Sequence, residues 1–160
     1  MTSQVLHQYP EGAGLSHWII VGFVSGAAAV LVFHQGAAAL LHALELTARA
    51  PYSMQLTSPW GVPQLWSITF WGGLWGALLA ATLARLDGAR LLLGALVFGA
   101  VFPTLVAWFV VAPLKGQPMA GGLVPMAMAA ALIVNGAWGL GTGIGLALFG
   151  RPRPPQSPNG

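Results

Sequence analysis

Six Lys or Arg and three Asp or Glu are the only side chains of this chain that carry a formal charge at neutral pH, and their placement leaves long gaps. None falls between Glu11 and Glu45, between Arg49 and Arg85, between Arg90 and Lys115, or between Lys115 and Arg151. An α-helix rises about 1.5 Å per residue, so each gap is long enough to cross a hydrocarbon core of about 30 Å. Soluble domains carry roughly a quarter charged residues. This chain has 6% charged and 56% hydrophobic residues and a mean hydropathy of +0.75. It is expected to be an all-α integral membrane protein. A net charge of +3 over 160 residues is too thin for a nucleic-acid surface, which needs clustered basic groups, and no nucleic-acid partner is expected. The absence of cysteine removes disulfides, thiolate metal sites, iron–sulfur clusters and cysteine nucleophiles together.

Residues 1–14 are expected to form a cytoplasmic N-terminal segment. The transmembrane domain occupies 15–150, with spans at about 15–44, 63–84, 91–112 and 123–149. A disordered, proline-rich cytoplasmic tail follows at 151–160. No Lys or Arg precedes the first span, which is about twice as long as a signal-peptide core, so it is expected to stay in the membrane. Pro63 opens the second span and the charged turn Arg85-Leu86-Asp87-Gly88 closes it. Pro103 is expected to kink the third span and Pro113 to stop it. Arg85, Arg90, Arg151 and Arg153 lie on one side of four alternating spans, with Arg49 and Lys115 on the other. Basic residues resist export, so both termini are expected in the cytoplasm and the stretch 45–61 outside. Trp18, Tyr52, Trp60 and Trp66 then fall near span ends, where amphipathic rings settle. Abundant alanine, with five Arg to one Lys, fits a bacterial inner-membrane protein.

The two halves echo each other. Val32-Phe33-His34-Gln35 answers Val101-Phe102-Pro103-Thr104 at an offset of 69. Val62-Pro63 answers Val124-Pro125 at 62, and Gly73-Leu74-Trp75-Gly76 answers Gly136-Ala137-Trp138-Gly139 at 63. Each half is then a helical hairpin. Two-span copies enter the membrane from the same side, so the repeat is parallel, with a pseudo-twofold axis along the membrane normal. The tryptophan between glycines in each copy is expected to wedge against a neighbouring helix near that axis.

Lipid provides no hydrophobic force between helices, so small residues at four-residue spacing mark contact faces. Gly22 and Gly26, Gly72 and Gly76, and Gly139 and Gly143 are the expected packing positions. The candidate polar site is His34 with Gln35 in span one, Thr104 in span three and Asn135 in span four. Ionisable and polar side chains within a span are costly and face the bundle interior. A His34–Asn135 or His34–Thr104 hydrogen bond is expected from comparable depth, and His42 lies on the same ridge as His34. All four histidines, His7, His17, His34 and His42, fall in the first 42 residues, so one bundle offers haem no pair of ligands from facing helices. Only His34 and its copy in a dimer would supply both, and no cofactor or metal is expected. Ser16-His17 has no acid to orient the imidazole, and Glu11, Glu45 and Asp87 lie outside the spans, so the chain reads as a non-enzyme.

Two function classes follow. One is a structural or accessory subunit that packs against itself or a larger membrane complex, with lipids as its surroundings. The other is a small homo-oligomeric transporter or channel for a neutral or small solute, with His34, Gln35, Thr104 and Asn135 along its path.

Overall fold

The computed structural model of the chain describes residues 11–150, with side chains from Gly14 onward. The tail 151–160, with Arg151 and Arg153, and most of the N-terminal segment 1–14 lie outside the described residues. Among the described residues four helices are long and apolar enough to span a membrane: α1 Gly14–Ala43, α2 Gln64–Leu83, α3 Gly88–Leu114 and α4 Pro125–Phe149. Helices suit such a sequence because they satisfy every interior backbone group without water.

Two of the helices are irregular within their length. Pro103 lacks the N–H that would bond the Gly99 carbonyl, yet α3 continues through it. The Ala107 N–H is shared between the Pro103 and Thr104 carbonyls, and a π turn follows at Ala107–Val111. Pro113 does not stop α3, which runs on to Leu114. The hydrogen-bond ladder is already shifted by the π turn just before it, and Lys115 N–H closes the helix on the Val111 and Ala112 carbonyls at 3.1 Å each. A second π turn, Val30–His34, lies in α1.

Both odd-numbered helices end in the same hydrogen-bonded reversal. Beyond α3, Gly116 N–H bonds the Pro113 carbonyl and Gln117 N–H the Ala112 carbonyl, with Gly116 at φ +65°. Beyond α1, Glu45 N–H bonds the His42 carbonyl and Leu46 N–H the Leu41 carbonyl, with Glu45 at φ +58°. Glycine takes this left-handed position freely, whereas a side chain there costs roughly 1–2 kcal/mol. Glu45→Gly is therefore expected to stabilise the protein by about 1 kcal/mol. A thermal midpoint in detergent that fails to rise would refute this.

The connections differ in form. Between α1 and α2, β1 (Leu56–Thr57) pairs antiparallel with β2 (Val62–Pro63), placing Leu56 opposite Pro63 and Thr57 opposite Val62. Trp60 stands at the tip of this ribbon, 87% exposed. The first two N–H groups of α2, from Gln64 and Leu65, bond the Gln55 and Ser53 carbonyls at 2.8 and 3.0 Å. Backbone of the loop thus caps a helix that has no side-chain cap. Between α3 and α4, Ala120, Gly121, Gly122 and Leu123 all have positive φ, forming a single left-handed turn.

The helices pack in the order α2, α1, α4, α3, with a thinner α2–α3 contact closing the bundle. Glycine seams join α1 to α2 and α3 to α4. A methyl group at Gly76 would run into the Gly22 carbonyl oxygen and the Gly26 Cα, and one at Gly26 into the Gly72 carbonyl. In the second hairpin, a methyl at Gly139 would meet the Ala95 carbonyl and the Gly99 Cα, and one at Gly143 the Ala95 side chain. The six expected packing glycines all lie in these two seams. Between hairpins, Trp138 of α4 is buried and its indole N–H donates to the Gly26 carbonyl of α1 at 2.9 Å. Trp18 of α1 donates in the same way to the Ala80 carbonyl of α2 at 2.6 Å. Leu79, Leu91, Leu146, Ala95 and Phe98 fill the space around these two rings.

Candidate functional site

The four candidate residues form two separate pairs. Asn135 Nδ2 of α4 donates to Thr104 Oγ1 of α3 at 2.8 Å, and Thr104 is fully buried. Gln35 Nε2 of α1 donates to its neighbour, His34 Nδ1, at 3.3 Å. Neither expected bond, His34–Asn135 or His34–Thr104, is the one these side chains make.

Depth does not account for the difference. His17 Nε2 donates to the Phe149 carbonyl at 3.3 Å, and Ser25 lies over Gly145, so α1 and α4 run antiparallel in a steady register. Extended along both helices, that register brings His34 level with Asn135 to within about one turn. Direction is what separates them. Asn135, Gly139 and Gly143 share the ridge of α4 that faces α3, as their contacts with Gly99 and Ala95 show. Trp138, Gly141 and Gly145 face α1 instead, against Gly26, Phe33 and Ser25. The Phe33 ring lies across Gly141 on the α1-facing side.

Gln35 reaches the other way, to the α1–α2 loop. Its Oε1 accepts from the Tyr52 backbone N–H at 2.6 Å, while the Tyr52 hydroxyl donates to the Leu31 carbonyl at 3.0 Å. A π turn leaves a helical carbonyl short of its usual partner. Leu31 lies inside the π turn Val30–His34, so Tyr52 supplies a donor at that irregularity. Nothing in the sequence around Tyr52 marked it for this role beyond its place near a span end. His42 lies further along α1 and serves the same loop, with Nδ1 donating to the Thr47 carbonyl at 3.0 Å.

Among the described residues no three His, Cys, Asp or Glu converge as metal ligands. One apolar groove, about 240 Å³, runs along the flank of the α1–α4 contact and not through the bundle. Val24, Ala28, Val32, Ile144 and Leu148 are among its walls, and Ser25 is on its floor. The interior itself is occupied by side chains, and two threonine hydroxyls turn to their own helices: Thr142 donates to the Trp138 carbonyl at 2.9 Å and Thr69 to the Leu65 carbonyl at 2.7 Å.

The Thr104–Asn135 pair therefore acts as an interhelical tie. Hydrogen bonds of this kind contribute about 0.6 kcal/mol, rising to roughly 1.7. Asn135→Leu is expected to lower the unfolding free energy in detergent by about 1 kcal/mol, with Thr104→Val adding little once Asn135 is gone. Fully additive losses in the double variant would show that the two side chains act separately. No protein-family model, curated protein or solved structure matches this chain.

Proposed function

We propose that this chain is a structural or accessory subunit of a membrane assembly, working through helix packing and not through a solute path. The observation that carries this reading is the filled interior. Trp138, Leu79, Leu91, Leu146 and Phe98 occupy the centre, and His34, Gln35, Thr104 and Asn135 form two pairs that do not join. Wide apolar flanks, including Ile20, Val24, Phe70, Trp71 and Phe102, are left facing outward for lipid or for partner helices. We place the protein in the bacterial inner membrane with both termini in the cytoplasm, on the strength of its arginine distribution.

We further read the bundle as a parallel repeat of two hairpins. Its support is the shared pattern of close contacts. Gly26 meets Gly72 and Gly76 as Gly99 meets Asn135 and Gly139, and Gly22 meets Ala80 as Ala95 meets Gly143. Trp138 of α4 lies on α1, and Trp75 of α2 lies edge-on to Phe98 of α3 with ring centres 6.1 Å apart. These matches keep the offset of 63 between α2 and α4 but set α1 against α3 at 73, one helical turn beyond the 69 of the Val32/Val101 match. The seams, and not the local resemblance around His34, thus define the equivalence.

Extraction of the tagged protein in mild detergent, with mass determination of whatever travels with it, tests the functional reading. Larger subunits in fixed stoichiometry support the accessory role. A clean homo-oligomer counts against it and favours the transport reading, for which π turns beside both polar pairs are the relevant observation, since such turns recur at functional sites. Under that reading His34→Ala abolishes flux through reconstituted vesicles, and unchanged flux removes His34 from the path.

A further inference from the structure

We propose that His34, Gln35 and Tyr52 form a proton-sensitive latch that holds the α1–α2 loop on the helix bundle. The argument rests on which atoms can donate. The Tyr52 backbone N–H is a donor in every protonation state, so the Gln35 atom facing it at 2.6 Å has to be Oε1. That fixes Nε2, a donor only, towards His34 Nδ1 at 3.3 Å. Nδ1 must then be the unprotonated, accepting nitrogen, and the imidazole is neutral with its proton on Nε2. An imidazolium carries N–H at both nitrogens. Protonation of His34 therefore sets two donors against each other. Flipping the Gln35 amide relieves that clash only by setting Nε2 against the Tyr52 N–H. One of the two bonds is lost in either arrangement, and both belong to one buried side chain.

The loop is poised to respond. Tyr52 sits at φ +53°, a left-handed conformation that a bulky residue holds only when its surroundings impose it. Two bonds tie it to α1 in that conformation, one to Gln35 Oε1 and one to the Leu31 carbonyl. The titratable groups nearest His34 in the sequence of α1 and the loop are His42, Glu45, Arg49 and Tyr52. The helices packed against this part of α1, α2 and α4, contain no titratable side chain. This inference stands on the latch geometry and is independent of the accessory reading above.

The chain has no cysteine, so Met54→Cys gives a unique site for a nitroxide label in the loop. Electron paramagnetic resonance of the full-length labelled protein in detergent, from pH 7.5 down to pH 4, reads the mobile fraction. Loss of one hydrogen bond is expected to raise it by up to about five-fold, reversibly, on acidification. His34→Phe leaves Gln35 Oε1 free to hold Tyr52 and removes the proton acceptor, so the acid response disappears. Gln35→Glu presents a carboxylate oxygen to each partner, and the imidazole turns an N–H towards it in either protonation state, so protonation of His34 no longer costs the loop a bond and the acid response disappears. Circular dichroism confirms that each variant keeps its helices. The proposal is overturned if mobility does not change with pH, if the change survives His34→Phe, or if Gln35→Glu responds to acid as the unsubstituted protein does.

Discussion

Gly76→Val is expected to be among the most damaging single substitutions in this protein, lowering stability by about 3 kcal/mol or more. The position lies where α1 and α2 approach backbone to backbone, and an added side chain would meet the Gly22 carbonyl and the Gly26 Cα. Main-chain atoms on opposing helices cannot rotate aside as a flexible side chain would. Separation of the helices would forfeit the dispersion contacts that drive association in lipid. Gly139→Val should act similarly in the second hairpin, where the Ala95 carbonyl and Gly99 are the obstacles. Gly36 is the natural control, since it also lies in α1 but has open space where a methyl group would go. Gly36→Ala should be neutral or stabilising by up to about 1 kcal/mol through helix propensity. Thermal unfolding of the three variants in one detergent decides the matter, and equal midpoints for Gly76→Val and Gly36→Ala would sink the seam argument.

Trp138→Ala is the second large expectation, at about 3–5 kcal/mol. The ring is 2% exposed and sits where the two hairpins meet, so its removal leaves a void that neither hairpin can close alone. Trp138→Phe separates the two contributions. It keeps most of the volume and deletes the donor to Gly26, for an expected cost of about 1 kcal/mol. Trp71, exposed on α2, is the comparison: Trp71→Ala should change stability in detergent by less than about 0.5 kcal/mol. A Trp138→Ala midpoint close to that of Trp71→Ala would mean that the hairpins are held together elsewhere.

The number and rough extent of the helices were legible because charge placement speaks directly to which segments can lie in an apolar phase. The glycine seams were legible for a similar reason: a repeated spacing of four survives any choice of partner. What was not legible depends on rotation about the helix axes. His34 and Asn135 do lie at similar depth, but a sequence carries no record of how far α4 is turned relative to α1, and a rotation of about 100° per residue decides whether two polar groups meet. The π turns were hidden for a related reason. Val30–His34 is apolar but for its last residue and Ala107–Val111 is wholly so, and nothing in their residue types distinguishes them from the regular helix on either side. Tyr52 could be placed near a span end by its residue type, but its reach to Gln35 and Leu31 depends on a backbone conformation that tyrosine alone would not favour.

The close packing within each hairpin, set against the thin junction between α2 and α3, bears on how the chain is made. During synthesis α1 and α2 emerge before α3 and α4, and the seam of Gly22 and Gly26 with Gly72 and Gly76 needs nothing from the later half to close. The second seam is likewise local to α3 and α4, so most helix pairing joins neighbours in sequence, the circumstance that favours rapid and independent assembly. Docking of the halves then waits for Trp138, which lies in the last of the four helices. Severed in the turn after Leu83, the two halves should still find one another when produced as separate polypeptides, since the cut would break the backbone where few contacts cross it.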